Sequence, residues 1–331
     1  MTHLLDGIKQ NTFLIVGRAG IDFFTDPGVT LEDSTRMTVD LGGSSANIGA
    51  GICKLGGQAA LVTRVSDDSI GSYCTRRLQH YGVDTRYVTT VGGEFRNSLA
   101  VYESVVENHR NVIYRNGAAD FEMTKDDVEA IDYGAYGALI TAGTVFAAEP
   151  SRSATFRSFE LAKAAGLPII FDVDYRPYSW PSPEVASDVL SRAAEHCDMI
   201  VGNDEEFGFM AGDYARGLDK ARALSETTTE IVIYKMGHEG AITFTEGKEI
   251  KTGIYPVDAL KPTGAGDSFM AGLVTSLAAG HDLKTSILRG SACASITVSK
   301  PGCAPAMATT DVLEQFLADH PGPQNNEKPT G

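Results

Sequence analysis

No apolar stretch in this 331-residue chain reaches the ~18 residues that a membrane helix needs. Cysteine is sparse: Cys53, Cys74, Cys197, Cys293 and Cys303 form no CxxC pair and no metal-ligand spacing. An odd, scattered set points to reduced thiols in a cytoplasm rather than to a disulfide framework. Basic charge is short as well, with 28 Lys and Arg against 43 Asp and Glu, a formal net charge of -15. That balance excludes nucleic acid as a partner, since phosphate backbones call for a basic face. An anionic substrate must then be held by local basic groups against an unfavourable overall field. Asp6, Lys9, Gln10 and Asn11 interrupt the apolar runs at the N-terminus, which does not read as a signal peptide. There is no Walker A loop and no Gly-x-Ser-x-Gly. Gly17-Arg18-Ala19-Gly20 lacks the third glycine of a dinucleotide fingerprint.

What is present is ample core for a globular protein, at 43% hydrophobic and 21% charged. Short apolar runs (13–16, 61–65, 138–141, 168–172, 199–201 and 231–234) read as buried strands. Helical candidates such as Ser153 to Ala165 and Pro183 to His196 lie between them. The alternation predicts an α/β fold, a doubly wound and mainly parallel sheet with helices on both faces. Two segments, 31–41 and 96–115, alternate like strands with no helix between, as a solvated edge hairpin or a small lid sheet would. Residues 1–320 then form one domain, and the Pro-, Gly- and Asn-rich 321–331 reads as a disordered tail.

The richest stretch is Leu260-Lys261-Pro262-Thr263-Gly264-Ala265-Gly266-Asp267-Ser268-Phe269-Met270, followed by an apolar run of helical length. Small residues allow close backbone approach, and a helix N-terminus presents N–H groups to an anion. Asp267 either caps that helix or takes a proton from a hydroxyl while the N–H groups of Gly264, Ala265 and Gly266 hold a phosphoryl group. An ordinary aspartate, with its pKa near ~3.9, is ionised at neutral pH without special tuning.

This stretch resembles the signature of the ribokinase (PfkB) sugar-kinase family, and three other landmarks precede it in the right order. Gly42-Gly43-Ser44-Ser45-Ala46-Asn47, with Ser66 to Gly71, resembles the first family signature, Ser66 standing where glycine is usual. Asn203 to Glu206 resembles its Asn-x-x-Glu motif, and Lys235 to Ala241 its Lys-x-Gly-x-x-Gly nucleotide loop.

The resemblance implies a ribokinase-like fold whose β-sheet lid closes over the sugar and makes a contact between two copies. It implies ATP and Mg²⁺ as cofactors, with Lys235, Gly237 and Gly240 lining the nucleotide. Asn203 and Glu206 would organise Mg²⁺ through water, although a helix cap with a first-turn acid fits the same residues. Asp22, taken as the end of the first strand, with Gly42, Gly43 and Asn47, would hold sugar hydroxyls. A strand-end Asp on its own is an ordinary turn residue.

Three details bear on the substrate. Asp172-Val173-Asp174-Tyr175-Arg176-Pro177 resembles a stretch of the family's sugar-acid kinases. Tyr114-Arg115 to Asp120 and Gly302-Cys303-Ala304-Pro305-Ala306-Met307 resemble those acting on 5-dehydro-2-deoxygluconate in inositol breakdown. Arg115 and Arg176 are the candidates to grip a carboxylate, or else make structural salt bridges or touch phosphates. Kinases of 2-dehydro-3-deoxygluconate, of neutral sugars, and a non-catalytic sugar-binding regulator are the competing readings. Intact Asp267 and Gly-Ala-Gly count against the last. One departure stands out: Lys261 occupies the place, six before Asp267, where many members carry a potassium-holding aspartate. Potassium dependence is therefore not expected.

Overall fold

The computed structural model describes residues 2–105, 111–227, 229–261 and 263–323. The tail expected at 321–331 falls largely outside the described residues, as do Pro262 and part of the second lid segment.

The apolar runs form strands because parallel strands covered by helices on both faces tolerate continuous hydrophobic sequence. In chain order the first four are β1 (Thr12–Val16), β2 (Gly20–Thr25), β3 (Met37–Gly42) and β4 (Gln58–Ser66). β5 (Val88–Val91), β6 (Leu99–Tyr102) and β7 (Asn111–Tyr114) follow. β8 (Ala138–Ala142), β9 (Ile169–Asp172), β10 (Met199–Asn203) and β11 (Ile231–Lys235) come next, before β12 (Ala241–Thr245) and β13 (Lys248–Thr252).

The large sheet has the order β13-β12-β11-β10-β9-β8-β1-β4-β5. It is parallel except at one edge, where β11, β12 and β13 run antiparallel. Successive side chains point to opposite faces, so β1 feeds both cores. Leu14 and Val16 pack with Leu139, Phe171 and Val232 on one side. Phe13 and Ile15 pack with Ile140, Ile170, Val201 and the helical Met270 and Leu273 on the other. All six expected strands are present; the edge strands β5 and β13, and β12 next to β13, are additional.

The small sheet has the order β3-β2-β6-β7. It confirms a separate β-layer but corrects its membership. The first lid segment contributes only β3, and one of the two inner strands is β2, whose Asp22 was expected at the end of the first strand. Asp22 therefore does not end the first strand. It lies within β2, directly across from Asp40 of β3.

Helix packing brings the two halves of the chain together. A Cβ on Gly51, in the helix Ser44–Lys54, would lie 2.7 Å from the Ala271 methyl of the helix Ala265–Ala278. A Cβ on Gly272 would meet Gly290, in the helix Leu283–Val298, at 3.0 Å. The helix that follows the Gly264–Gly266 turn is thus wedged between two others.

Candidate active site

A cavity of about 650 Å³ opens where the parallel strands end. Asp172, Asn203 and Lys235 are the last residues of three adjacent strands, and all three line it. This is the carboxyl-end crevice where ligands of open α/β sheets bind. The small sheet faces it with Asp22, Tyr102 and Ile113.

The turn before the helix Ala265–Ala278 closes the cavity floor. Gly264 is its N-cap in the left-handed region, φ 83°. A side chain there would be strained, and its Cβ would sit 3.2 Å from the Cys303 sulfur. The Gly264 carbonyl accepts from Ser268 N–H at 3.0 Å, which leaves the N–H groups before it without intrahelical partners. Lys235 comes within 3.5 Å of where a Gly266 Cβ would be. Free N–H groups, the helix dipole and an ammonium converge on one spot, a place for an anion.

Asp267 is not the cap, because Gly264 is. Its Oδ2 accepts a 3.0 Å hydrogen bond from Asn47 Nδ2, on the helix Ser44–Lys54. Burial, with Asp174 nearby, pushes its carboxyl up to about 6, while Asn47, Arg176 and Arg18 pull the other way. An ordinary, untuned aspartate was expected here; the loss of solvent around the carboxyl corrects that. A carboxylate with a pKa near the working pH is a better-matched proton acceptor.

Asp22 is buried and raised to about 7, chiefly by burial, with Asp267 and Asp40 adding to it and Arg18 opposing. Its Oδ1 is buried with no hydrogen-bond partner among the described residues. Gly42, expected among the sugar contacts, does not line the cavity. It stands behind Asp22, and a Cβ on it would fall 2.1 Å from Asp22 Oδ1. Gly43 does line the cavity, at φ 99°.

Arg115 lines the cavity, yet it is committed elsewhere. The guanidinium is buried, pairs with Asp120, reaches Ser179 at 3.4 Å and stacks 4.1 Å over the Phe121 ring. Of the alternatives left open by the sequence, the structural salt bridge is the one observed. Arg176 pairs with Asp174 at 2.8 Å but remains half exposed to the cavity. Burial alone would raise Asp174, but Arg176 together with Ser44, Arg18 and Arg115 holds its carboxyl below the ordinary value.

Asn203 and Glu206 form a reciprocal cap: Glu206 N–H donates to Asn203 Oδ1, and Asn203 N–H to Glu206 Oε2, each at 2.8 Å. Both also face the cavity. With Oδ1 accepting from Glu206 N–H, Asn203 keeps its NH₂ group to donate, which suits a phosphate oxygen. Glu206 Oε1 has no partner among the described residues.

Gly237 and Gly240 lead to a slot lined by Ile254, Ile287, Ser291 and Ala294. Gly240 is required there, since a Cβ would fall 2.0 Å from the Thr252 carbonyl. Ser66, Asp68 and Asn97 instead form a hydrogen-bonded cluster outside the cavity.

Apart from Gly42, the predicted site residues all line one cavity. Sequence reasoning missed Arg18, Tyr102, Thr144 and the apolar slot. It quoted Asp172 and Asp174 without giving them a part.

Residues 12–310 match the model of the pfkB family carbohydrate kinases. The 5-dehydro-2-deoxygluconokinase of Geobacillus kaustophilus (strain HTA426) is 34% identical over 321 residues, 95% of this chain and 96% of the relative. The chain belongs to the pfkB family of carbohydrate kinases. This pfkB kinase also shares its fold with solved structures. A fructokinase with bound ATP from Xylella fastidiosa superposes with TM-score 0.83 at 19% identity, over 93% of this chain and 98% of the other. A double-mutant fructokinase from Vibrio cholerae O395, in fructose-, ADP- and potassium-ion-bound form, has TM-score 0.81 at 24% identity, over 92% and 98%. Enzyme class and ribokinase-like architecture therefore agree with what the motifs implied. No described helix is long and apolar enough to cross a membrane.

Proposed function

We propose that this kinase transfers the γ-phosphoryl group of ATP to a terminal hydroxyl of a sugar acid, 5-dehydro-2-deoxygluconate before others. The observation that carries the reading is Asp267, a partly buried carboxylate raised to about 6 and held by Asn47, beside the N–H groups that the helix turn leaves without intrahelical partners. The substrate hydroxyl gives its proton to Asp267 as its oxygen attacks phosphorus, and the bond to the ADP oxygen breaks. The turn N–H groups and Lys235 stabilise the oxygens of the phosphoryl group in flight. Asn203 donates to a phosphate oxygen, and Arg176 stands beside the transferred group. Magnesium, when bound, neutralises phosphate charge, and Glu206 Oε1 is the oxygen available to orient its waters. Gly237, Gly240 and the apolar slot take the nucleoside. Asp22 and Asn47 hold sugar hydroxyls, while Val39, Val112 and Tyr114, exposed on the small sheet, support the reading of a lid that contacts a second copy.

The name carried by the relatives supports the choice of sugar acid. A coupled ADP-release assay over 5-dehydro-2-deoxygluconate, 2-dehydro-3-deoxygluconate, fructose and ribose tests it. The first should give the highest kcat/KM; a preference for fructose or ribose ends the sugar-acid reading.

Two further results are expected. Because Asp267 and Asp22 are both raised, proton uptake removes the working forms as pH falls through about 7 to about 6. The acid limb of kcat/KM should lie there, and a limb near ~4, where ordinary carboxylates titrate, would contradict it. Lys261 does not point to solvent. Its Nζ donates to the Thr263 carbonyl at 2.7 Å and the Thr297 carbonyl at 3.4 Å, beside the anion turn, while Asp258 is exposed. The ammonium supplies a fixed cation there, so potassium should change wild-type activity less than about twofold, whereas Lys261→Asp should be slower and potassium-activated. Strong potassium activation of the wild type would refute this.

A further inference from the structure

Arg18 sits on the turn between β1 and β2 and lines the cavity, yet only 8% of it is exposed. Its Nη1 donates to Ser98 Oγ at 2.7 Å. Among the described residues that is its one side-chain hydrogen bond, and no carboxylate comes within the 4.0 Å of an ion pair. The other two cavity arginines differ in this respect, Arg115 being met by Asp120 and Arg176 by Asp174. A buried, unpaired guanidinium is costly unless an anion joins it.

Its surroundings hold it in place. The Arg18 carbonyl accepts from Ala46 N–H at 3.2 Å, which ties the turn to the helix that carries Asn47. Gly20 leaves room for the head group, since a Cβ there would lie 3.1 Å from Nη1 and 2.7 Å from Ser98 Oγ. The carboxylates that act on Arg18 are those of Asp120 and Asp22, the latter on the small sheet. Arg18 and Asp267 line the same cavity, and the guanidinium draws the Asp267 carboxyl down. A chain-like sugar acid has its terminal hydroxyl and its carboxylate at opposite ends, and this one cavity offers Asp267 to the first and Arg18 to the second. Asp22, with its unpartnered Oδ1, offers an acceptor for a hydroxyl between them.

We propose that Arg18 binds the substrate carboxylate with its planar fork and is the residue that selects sugar acids over neutral sugars. The assignment rests on the sugar-acid reading above and takes the part that Arg115, locked to Asp120, cannot play.

The test compares 5-dehydro-2-deoxygluconate with its neutral analogue, the carboxyl group reduced to a primary alcohol. The readout is the ratio of kcat/KM values for the two on one preparation, which does not depend on the folded fraction. Arg18→Gln should lower the acid-to-neutral ratio roughly 10- to 100-fold, chiefly through KM for the acid, and Arg18→Lys should restore part of it. If Arg18→Gln does not accumulate as folded protein, Ser98→Ala, which frees the head group, should lower the ratio in the same sense. An acid-selective wild type whose ratio stays within about threefold in these variants overturns the Arg18 assignment alone. A wild type that does not prefer the acid overturns the sugar-acid reading and this inference together.

Discussion

Asp267→Asn is expected to lower kcat by ~10²–10⁴-fold while ATP and sugar binding change little. The variant keeps the shape and a hydrogen-bond partner for Asn47, but cannot accept a proton. Because Gly264, not Asp267, caps the helix, the fold should survive, and thermal melts should agree within a few degrees. Isothermal titration of both substrates, with single-turnover rates, separates binding from chemistry. Near-wild-type turnover would show that the carboxylate serves the fold and not the reaction.

Arg115→Ala should act on stability instead. It leaves Asp120 buried without its partner, and removing one member of such a pair costs about 3–5 kcal/mol. The loss of the guanidinium stack on Phe121 adds to this. Denaturant titration should show the lower midpoint, and whatever activity remains should fall alike for sugar acids and neutral sugars. A selective loss on the acid, with stability unchanged, would return the carboxylate to Arg115.

The strands that the sequence disclosed are those buried on both faces, such as 13–16 and 231–234, where burial leaves an unbroken apolar run. β2 was hidden because it carries Asp22 among its apolar residues, and that acid is there for the cavity. β5 and β13 lie at sheet edges and need little hydrophobicity, so their signal is weak. The Gly264–Asp267 turn was legible because its chemistry is local. Arg18 was not, since its burial depends on Ser98 and on the absence of a side chain at Gly20, neither of which marks an arginine as special. For Lys261 the deciding partner is the Thr297 carbonyl, reached only when the helix Leu283–Val298 folds back. Asp267 was located but misjudged in strength, because spacing does not report burial. The Arg115–Asp120 pair lay within one quoted segment and was open to sequence reasoning.

The Asn47–Asp267 hydrogen bond joins positions 220 apart in sequence. During synthesis the helix bearing Asn47 is complete while the proton acceptor has yet to be made. The anion turn, in its place, becomes firm only once the later helix through Val298 packs behind Gly272. Assembly of the reaction centre is therefore among the last events of folding. A nascent or truncated chain that lacks the last helices, however well its N-terminal sheet is formed, carries no competent apparatus for consuming nucleotide.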